Sequence, residues 1–131
     1  MPGRGALRRW AAAALEREAR VTLRFVDGRE GRTLNRRHRR RDRATNVLTF
    51  VYDDGVSLAG DIVLCAPVVA KEARAQRKTL AAHYAHLVIH GMLHLQGFDH
   101  ENERDARRME RLESRILATL GYAGPYRNEE R

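Results

Sequence analysis

The spacing of apolar residues in the first 40 positions predicts a helix, a strand and a second helix. Residues 7–19 repeat apolar side chains every three or four positions, which is the period of an amphipathic helix. Its expected buried side consists of Leu7, Trp10, Ala11, Ala14 and Leu15. Residues 21–26 alternate as in a strand, which Asp27 and Gly28 end. Residues 29–40 predict a very basic helix with Leu34 as its main apolar anchor.

The rest of the chain predicts two strands followed by three helices. Residues 46–52 and 58–66 are rich in β-branched and apolar side chains, and the short turn between them favours an antiparallel pair. Helices are expected over 68–76, from an N-cap at Thr79 to about Leu95, and over 101–120, with Gly97 and Gly121 as terminators. The order predicts an α+β fold in a single domain, 1–131, with a small mixed β-sheet covered by helices.

Charge points to a nucleic acid as partner. The chain has 25 Lys and Arg against 17 Asp and Glu, a formal net charge of +8, and so basic a domain is a candidate nucleic-acid binder. No apolar run reaches the roughly 20 residues that a membrane helix needs. The one cysteine, Cys65, excludes an intramolecular disulfide, so we expect a cytoplasmic protein without a membrane partner. The oligomeric state is left open.

A cluster of histidines predicts a metal site at the end of the central helix. On a helix, His90 and His94 project from one face about one turn apart. Gly97 then lets the chain reverse, so that His100 can become the third ligand. Three imidazoles with a fourth position open are typical of a catalytic zinc ion. His86 stands four positions before His90 and could replace His100; more simply, His83 and His86 orient the site or line the substrate cleft.

The residue after the first histidine argues against one class of zinc enzyme. Zinc peptidases with a similar elongated histidine motif carry a glutamate there as general base. This chain has Gly91 at that position. A peptidase of that type would lack its base, so another hydrolytic reaction is favoured.

Three segments together resemble a known family, the YbeY endoribonucleases of bacteria. The segments are 90–100 (HGMLHLQGFDH), 39–50 (RRRDRATNVLTF) and 58–64 (LAGDIVL). They follow the family's order, and the likeness runs from about residue 6 to 126. The chain departs from the family at Ala44 and Val51, where proline is usual, and by the absence of a strand before Leu7.

The resemblance implies a single-domain, metal-dependent ribonuclease that acts in ribosomal RNA maturation and ribosome quality control. It implies His90, His94 and His100 as ligands of one zinc ion, and ribosomal RNA or ribosomal proteins as partners. It also implies a functional arginine at position 39. A guanidinium fork at Arg39 would suit the charge that develops on a phosphodiester.

Six arginines within the eight positions 36–43 support contact with RNA, because they would repel one another without a polyanionic partner. Besides Arg39 they are Arg36, Arg37, Arg40, Arg41 and Arg43.

Two alternative functions stay open: a peptidase-like zinc hydrolase of another class, and a ribosome-associated RNA-binding protein whose zinc is structural.

Overall fold

A computed structural model of the chain describes residues 1–39, 46–98 and 102–125, with the side chains of 37–39 left out. Within these residues it contains five helices and three strands. The helices are α1 (Arg4–Ala13), α2 (Gly28–Arg39), α3 (Ala66–Ala75), α4 (Leu80–Leu95) and α5 (Glu103–Thr119). The strands are β1 (Arg20–Val26), β2 (Val47–Asp53) and β3 (Leu58–Cys65). The predicted α+β architecture and the order of its elements are confirmed.

The three strands form one small mixed sheet with β3 in the centre. β1 pairs with β3 in parallel, Leu23 standing opposite Ile62. β2 pairs with β3 antiparallel, Thr49 standing opposite the same Ile62. The antiparallel prediction is confirmed. β3 is largely buried, because a central strand with helices on both faces is apolar on both faces.

Helices cover the two faces of the sheet unequally. On one face, Ile62 and Leu64 join the main core, which α4 dominates. On the other face, Leu34 of α2 packs against a small cluster that includes Val63 and Cys65. Cys65 is buried as a core residue, and desolvation raises the pKa of its thiol. α4 also packs against α1, α3 and α5, which makes it the central helix.

Two glycines let α4 and the sheet approach each other closely. A Cβ atom on Gly60 of β3 would overlap Leu95 Cδ1 and lie 2.8 Å from the carbonyl oxygen of Phe50. A Cβ atom on Gly91 of α4 would lie 3.0 Å from Cγ2 of Ile62. Larger residues would push the helix away from the sheet, so the glycines fix how deeply the C-terminal half of α4 is seated.

The first helix is shorter at its C-terminal end than its periodicity predicts. α1 begins at Arg4 and ends at Ala13, not at residue 19, and Leu15 is 41% exposed instead of buried. The reason is a long-range contact. Gln96 Oε1 accepts hydrogen bonds from the backbone N–H groups of Glu16 (2.6 Å) and Arg17 (3.2 Å), and Gln96 Nε2 donates to the carbonyl of Ala14 (2.8 Å). These bonds satisfy backbone groups that a longer helix would have used.

The predicted helix ends near α4 are correct within two residues. Thr79 caps α4, its hydroxyl accepting from the N–H of Ala82 at 3.1 Å. Gly97 after α4 and Gly121 after α5 both have positive φ, as expected of terminators. α5 begins at Glu103 because Asn102 is its N-cap.

Within the described part of the chain, no helix is long and apolar enough to cross a membrane.

Candidate metal centre

Helix α4 carries four histidines whose exposure rises toward its C-terminal end. His83 is buried, with a side chain only 3% exposed, whereas the side chain of His86 is 15% and that of His90 25% exposed. His94 is exposed. His90 and His94 stand one turn apart on α4, as predicted. The other residues of α4 from Leu87 onward are buried, so these two imidazoles are the accessible side chains of its C-terminal half.

A fully buried carboxylate lies between two of these histidines. Glu113 of α5 has no exposed surface. Its Oε1 is 2.9 Å from His86 Nε2, and its Oε2 is 3.0 Å from His90 Nδ1. A carboxylate out of water needs hydrogen-bond donors to offset its desolvation, and the two imidazoles provide them. The contact therefore ties α5 to α4 at the level of His90.

His86 is turned toward this carboxylate, which bears on its alternative role as a metal ligand. The described residues contain no group of three His, Cys, Asp or Glu side chains placed to hold a metal ion. His86, His90 and His94 therefore do not form such a group. The predicted third ligand, His100, lies outside the described residues, so the set of His90, His94 and His100 stays a prediction.

A second carboxylate–histidine network lies at the N-terminal end of α4. Glu72 Oε1, on α3, is 2.9 Å from His83 Nε2 and accepts from Asn46 Nδ2 at 3.1 Å. The other ring nitrogen of His83 is 3.5 Å from Lys78 Nζ. Burial lowers the pKa of His83, and it also lowers the pKa of Lys78. The network joins α3 and α4 to the residue that precedes β2.

The predicted arginines fall largely beyond what the structure describes. Arg36 is an exposed residue of α2. Arg37 and Arg39 belong to the last turn of α2, and their side chains lie outside the described residues, as do Arg40, Arg41 and Arg43 entirely. The phosphate-binding role of Arg39 and the RNA contacts of the other five arginines stay predictions.

Gly91 faces the sheet and not the accessible end of α4. Because a Cβ atom on Gly91 would point into Ile62, at 3.0 to 3.4 Å from three side-chain carbons, a glutamate there would have to enter the packed contact with β3. The chain therefore lacks the peptidase base, and a larger residue at this position would require Ile62 to shift.

The sequence interpretation missed Glu113 and Glu72. Glu113 had a signal: it stands on the apolar side of α5, four residues after Met109 and four before Leu117, both buried. A charged residue on a buried face needs a partner, but the sequence did not show which one, because it does not place α5 against α4. Glu72 had no such signal, because it is itself partly exposed and both Ala75 and Gln76, about one turn later, are exposed.

Comparison with known proteins places the chain in a family. The family model for Endoribonuclease YbeY matches residues 6–121. A relative from Aromatoleum aromaticum, named Endoribonuclease YbeY, is 62% identical over 95% of this chain and 81% of its own length. One of the same name from Nitrosomonas eutropha is 56% identical over 96% of this chain and 89% of its own. The chain belongs to the Endoribonuclease YbeY family.

A solved structure supports the fold independently. The solution structure of a Thermotoga maritima protein superposes with a TM-score of 0.57 at 27% identity, covering 89% of this chain and 80% of that one. The resemblance inferred from the three sequence segments is thus confirmed at the level of family and fold.

The network around His83 makes the stability of the protein depend on pH. Because the folded-state pKa of His83 lies below its ordinary value, the unfolded chain takes up the proton first as pH falls. The contribution of neutral His83 is present above about pH 7 and is lost as pH falls through the ordinary histidine pKa of about 6.5 toward the folded value.

The measurement is urea unfolding of wild type and His83→Gln at several pH values between about 5 and 8. We expect the stability advantage of wild type over the variant to shrink on acidification. An advantage that grows instead would mean that attraction to Glu72 outweighs the burial of the ring and the repulsion from Lys78 and His86.

Proposed function

We propose that this protein is a zinc-dependent endoribonuclease that acts in ribosomal RNA maturation and ribosome quality control. Its membership of the family supports RNA cleavage. The observation that carries the metal dependence is the pair His90 and His94, which stand one turn apart and are the accessible side chains of α4 between Leu87 and Leu95. Polar imidazoles among buried apolar residues call for a structural or chemical use, and imidazole nitrogen is a common zinc ligand.

The residues present fit a zinc ion. Imidazole nitrogen suits zinc better than the oxygen-preferring magnesium or calcium. His90 faces Glu113 through Nδ1, so Nε2 is the nitrogen proposed to bind the metal, and His94 follows one turn later. His100, three residues after the terminating Gly97, is the proposed third ligand. Zinc in such a site supplies a Lewis acid that polarises a phosphoryl oxygen.

The arginine-rich stretch supplies the RNA contacts in this proposal. Arg39 at the end of α2 binds the non-bridging oxygens of the scissile phosphate through its guanidinium fork. The neighbouring arginines neutralise the RNA backbone on either side, which accounts for the chain's charge of +8. These neighbours are Arg36, Arg37, Arg40, Arg41 and Arg43.

Ribosomal RNA, with ribosomal proteins around it, is the proposed partner, and the cytoplasm is the proposed location because that substrate is found there. Of the alternatives, a peptidase-like zinc hydrolase is disfavoured by the packing of Gly91 against Ile62. A structural zinc in a ribosome-associated RNA-binding protein is disfavoured by the accessibility of His90 and His94, because structural zinc sites are closed.

Removing a ligand should abolish RNA cleavage. We expect His94→Ala to lower the cleavage rate by more than about 100-fold, since the loss of groups that merely support a metal ligand already costs about 10- to 100-fold. Chelation of wild type should have the same effect, and added zinc should restore wild type but not the variant. The measurement is cleavage of a labelled ribosomal RNA fragment followed on a denaturing gel.

Cleavage that is equally fast in His94→Ala and in wild type from matched preparations would mean that a contaminating nuclease is responsible. Peptide turnover by wild type, with the RNA left intact, would favour the other zinc-hydrolase class.

Arg39 should contribute to the rate through charge and geometry. We expect Arg39→Ala to lower the single-turnover cleavage rate by about 100-fold, the usual cost of removing one group that stabilises transition-state charge. Arg39→Lys should recover only part of it, because an ammonium lacks the planar fork.

The matched control is Arg8→Ala, which removes the same charge from an exposed position on α1. It should cleave within about twofold of wild type, as charge alone acts mainly on association. Equal rates for Arg39→Ala and Arg8→Ala would refute the phosphate-binding role.

A further inference from the structure

We propose that Glu113 is a positioning residue for the metal centre, which holds His90 in the tautomer and orientation that present Nε2 to the ion. The inference deepens the proposed function and rests on it, since it assigns a role relative to the zinc site of His90, His94 and His100. It adds a residue from α5 to a site that the sequence motif locates on α4 and the turn after it.

The first step is the direction of the hydrogen bonds. A charged carboxylate only accepts hydrogen bonds, so the ring nitrogens that face Glu113 must carry protons. His90 Nδ1 therefore donates to Oε2 at 3.0 Å, and His86 Nε2 donates to Oε1 at 2.9 Å. In a neutral His90 ring, a proton on Nδ1 places the lone pair on Nε2, which is the form that a metal binds.

The second step is the rigidity of the carboxylate. Glu113 is fully buried, and Met109 and Leu117, one turn away on either side, are 1% exposed. α5 is thus packed on both sides of the carboxylate, which cannot move away into water. Hydrogen bonds to a charged group are also stronger in a buried environment than in solvent.

The third step is the second imidazole. With His86 on Oε1, the plane of the carboxylate is fixed by two bonds, and Oε2 is aimed at His90. His86 stands one turn before His90 on the same helix, and their ring centroids are 6.3 Å apart. His86 therefore acts as an orienting group, which was one of its predicted roles.

Glu113 would make the same contacts if it only stabilised the packing of α5 on α4. The test therefore needs a measured property that depends on the metal site and not on this packing. The variant Glu113→Gln keeps the shape of the side chain. Its amide can accept from one imidazole, but it must donate to the other, so one of the two rings has to change tautomer or lose its bond. Zinc affinity and the tautomer of His90 report on this directly.

The experiment measures zinc affinity of the full-length, metal-stripped protein by competition with a chromophoric chelator at about pH 8, where imidazoles are neutral. We expect Glu113→Gln to bind zinc about 10- to 100-fold more weakly than wild type. Two matched controls should stay within about twofold of wild type. Glu110→Gln makes the same change on α5, and Glu72→Gln makes it in the carboxylate–histidine network at the far end of α4.

The outcomes separate this inference from the function on which it rests. If wild type binds zinc, His94→Ala does not, and Glu113→Gln binds as tightly as wild type, Glu113 has no positioning role and the metal site stands. If wild type and His94→Ala bind zinc equally, the metal site of the proposed function is wrong.

A measurement on wild type keeps the inference testable even if Glu113→Gln does not fold. Long-range ¹H–¹⁵N correlation spectra of the metal-free protein distinguish the two neutral histidine tautomers. We expect His90 to carry its proton on Nδ1 and His86 on Nε2. A proton on Nε2 of His90 would overturn the proposal, because the nitrogen meant for the metal would then be blocked.

Discussion

The buried carboxylate of Glu113 constrains both helices that frame the candidate site. His86 and His90 face its two oxygens at 2.9 and 3.0 Å, and hydrogen bonds from these rings help to offset its desolvation. The register of α5 against α4 and the rotamers of both rings are therefore linked. A shift of the helix or a rotation of either ring would leave the buried carboxylate without one of these hydrogen bonds. This linkage fixes which nitrogen of His90 faces outward before any ligand arrives, and a metal centre gains affinity from ligands that are oriented in advance.

The depth at which α4 is seated completes this constraint. Gly60 of β3 and Gly91 of α4 remove side chains from the contact between helix and sheet, so that Leu95 and Ile62 fill the space. The close packing against Ile62 thus explains why glycine stands at position 91, independently of any role in catalysis. It also explains physically why a histidine motif of peptidase type occurs here without the peptidase glutamate: that position is occupied by the core.

Local periodicity predicted most of the fold, because most of the eight elements have a clear apolar pattern and several turns carry Gly or Asp, such as Asp27-Gly28 and Gly97. It failed at residues 14–19, where Gln96, some 80 positions away in sequence, takes the backbone hydrogen bonds that would have continued α1. The shared face of His90 and His94 was predictable for a similar reason, because they are four positions apart on one helix. Glu113 was not predicted, since its function depends on how α5 docks on α4, and that is a tertiary property.

The central claim, that His90 and His94 bind a catalytic zinc ion with Glu113 behind them, is tested most directly by a crystal structure of the zinc-loaded protein with anomalous data at the zinc edge. The account predicts one strong peak bonded to Nε2 of His90, His94 and His100, with Nδ1 of His90 still on Glu113. A peak bonded to Nδ1 of His90, or one located away from His90 and His94, would contradict it.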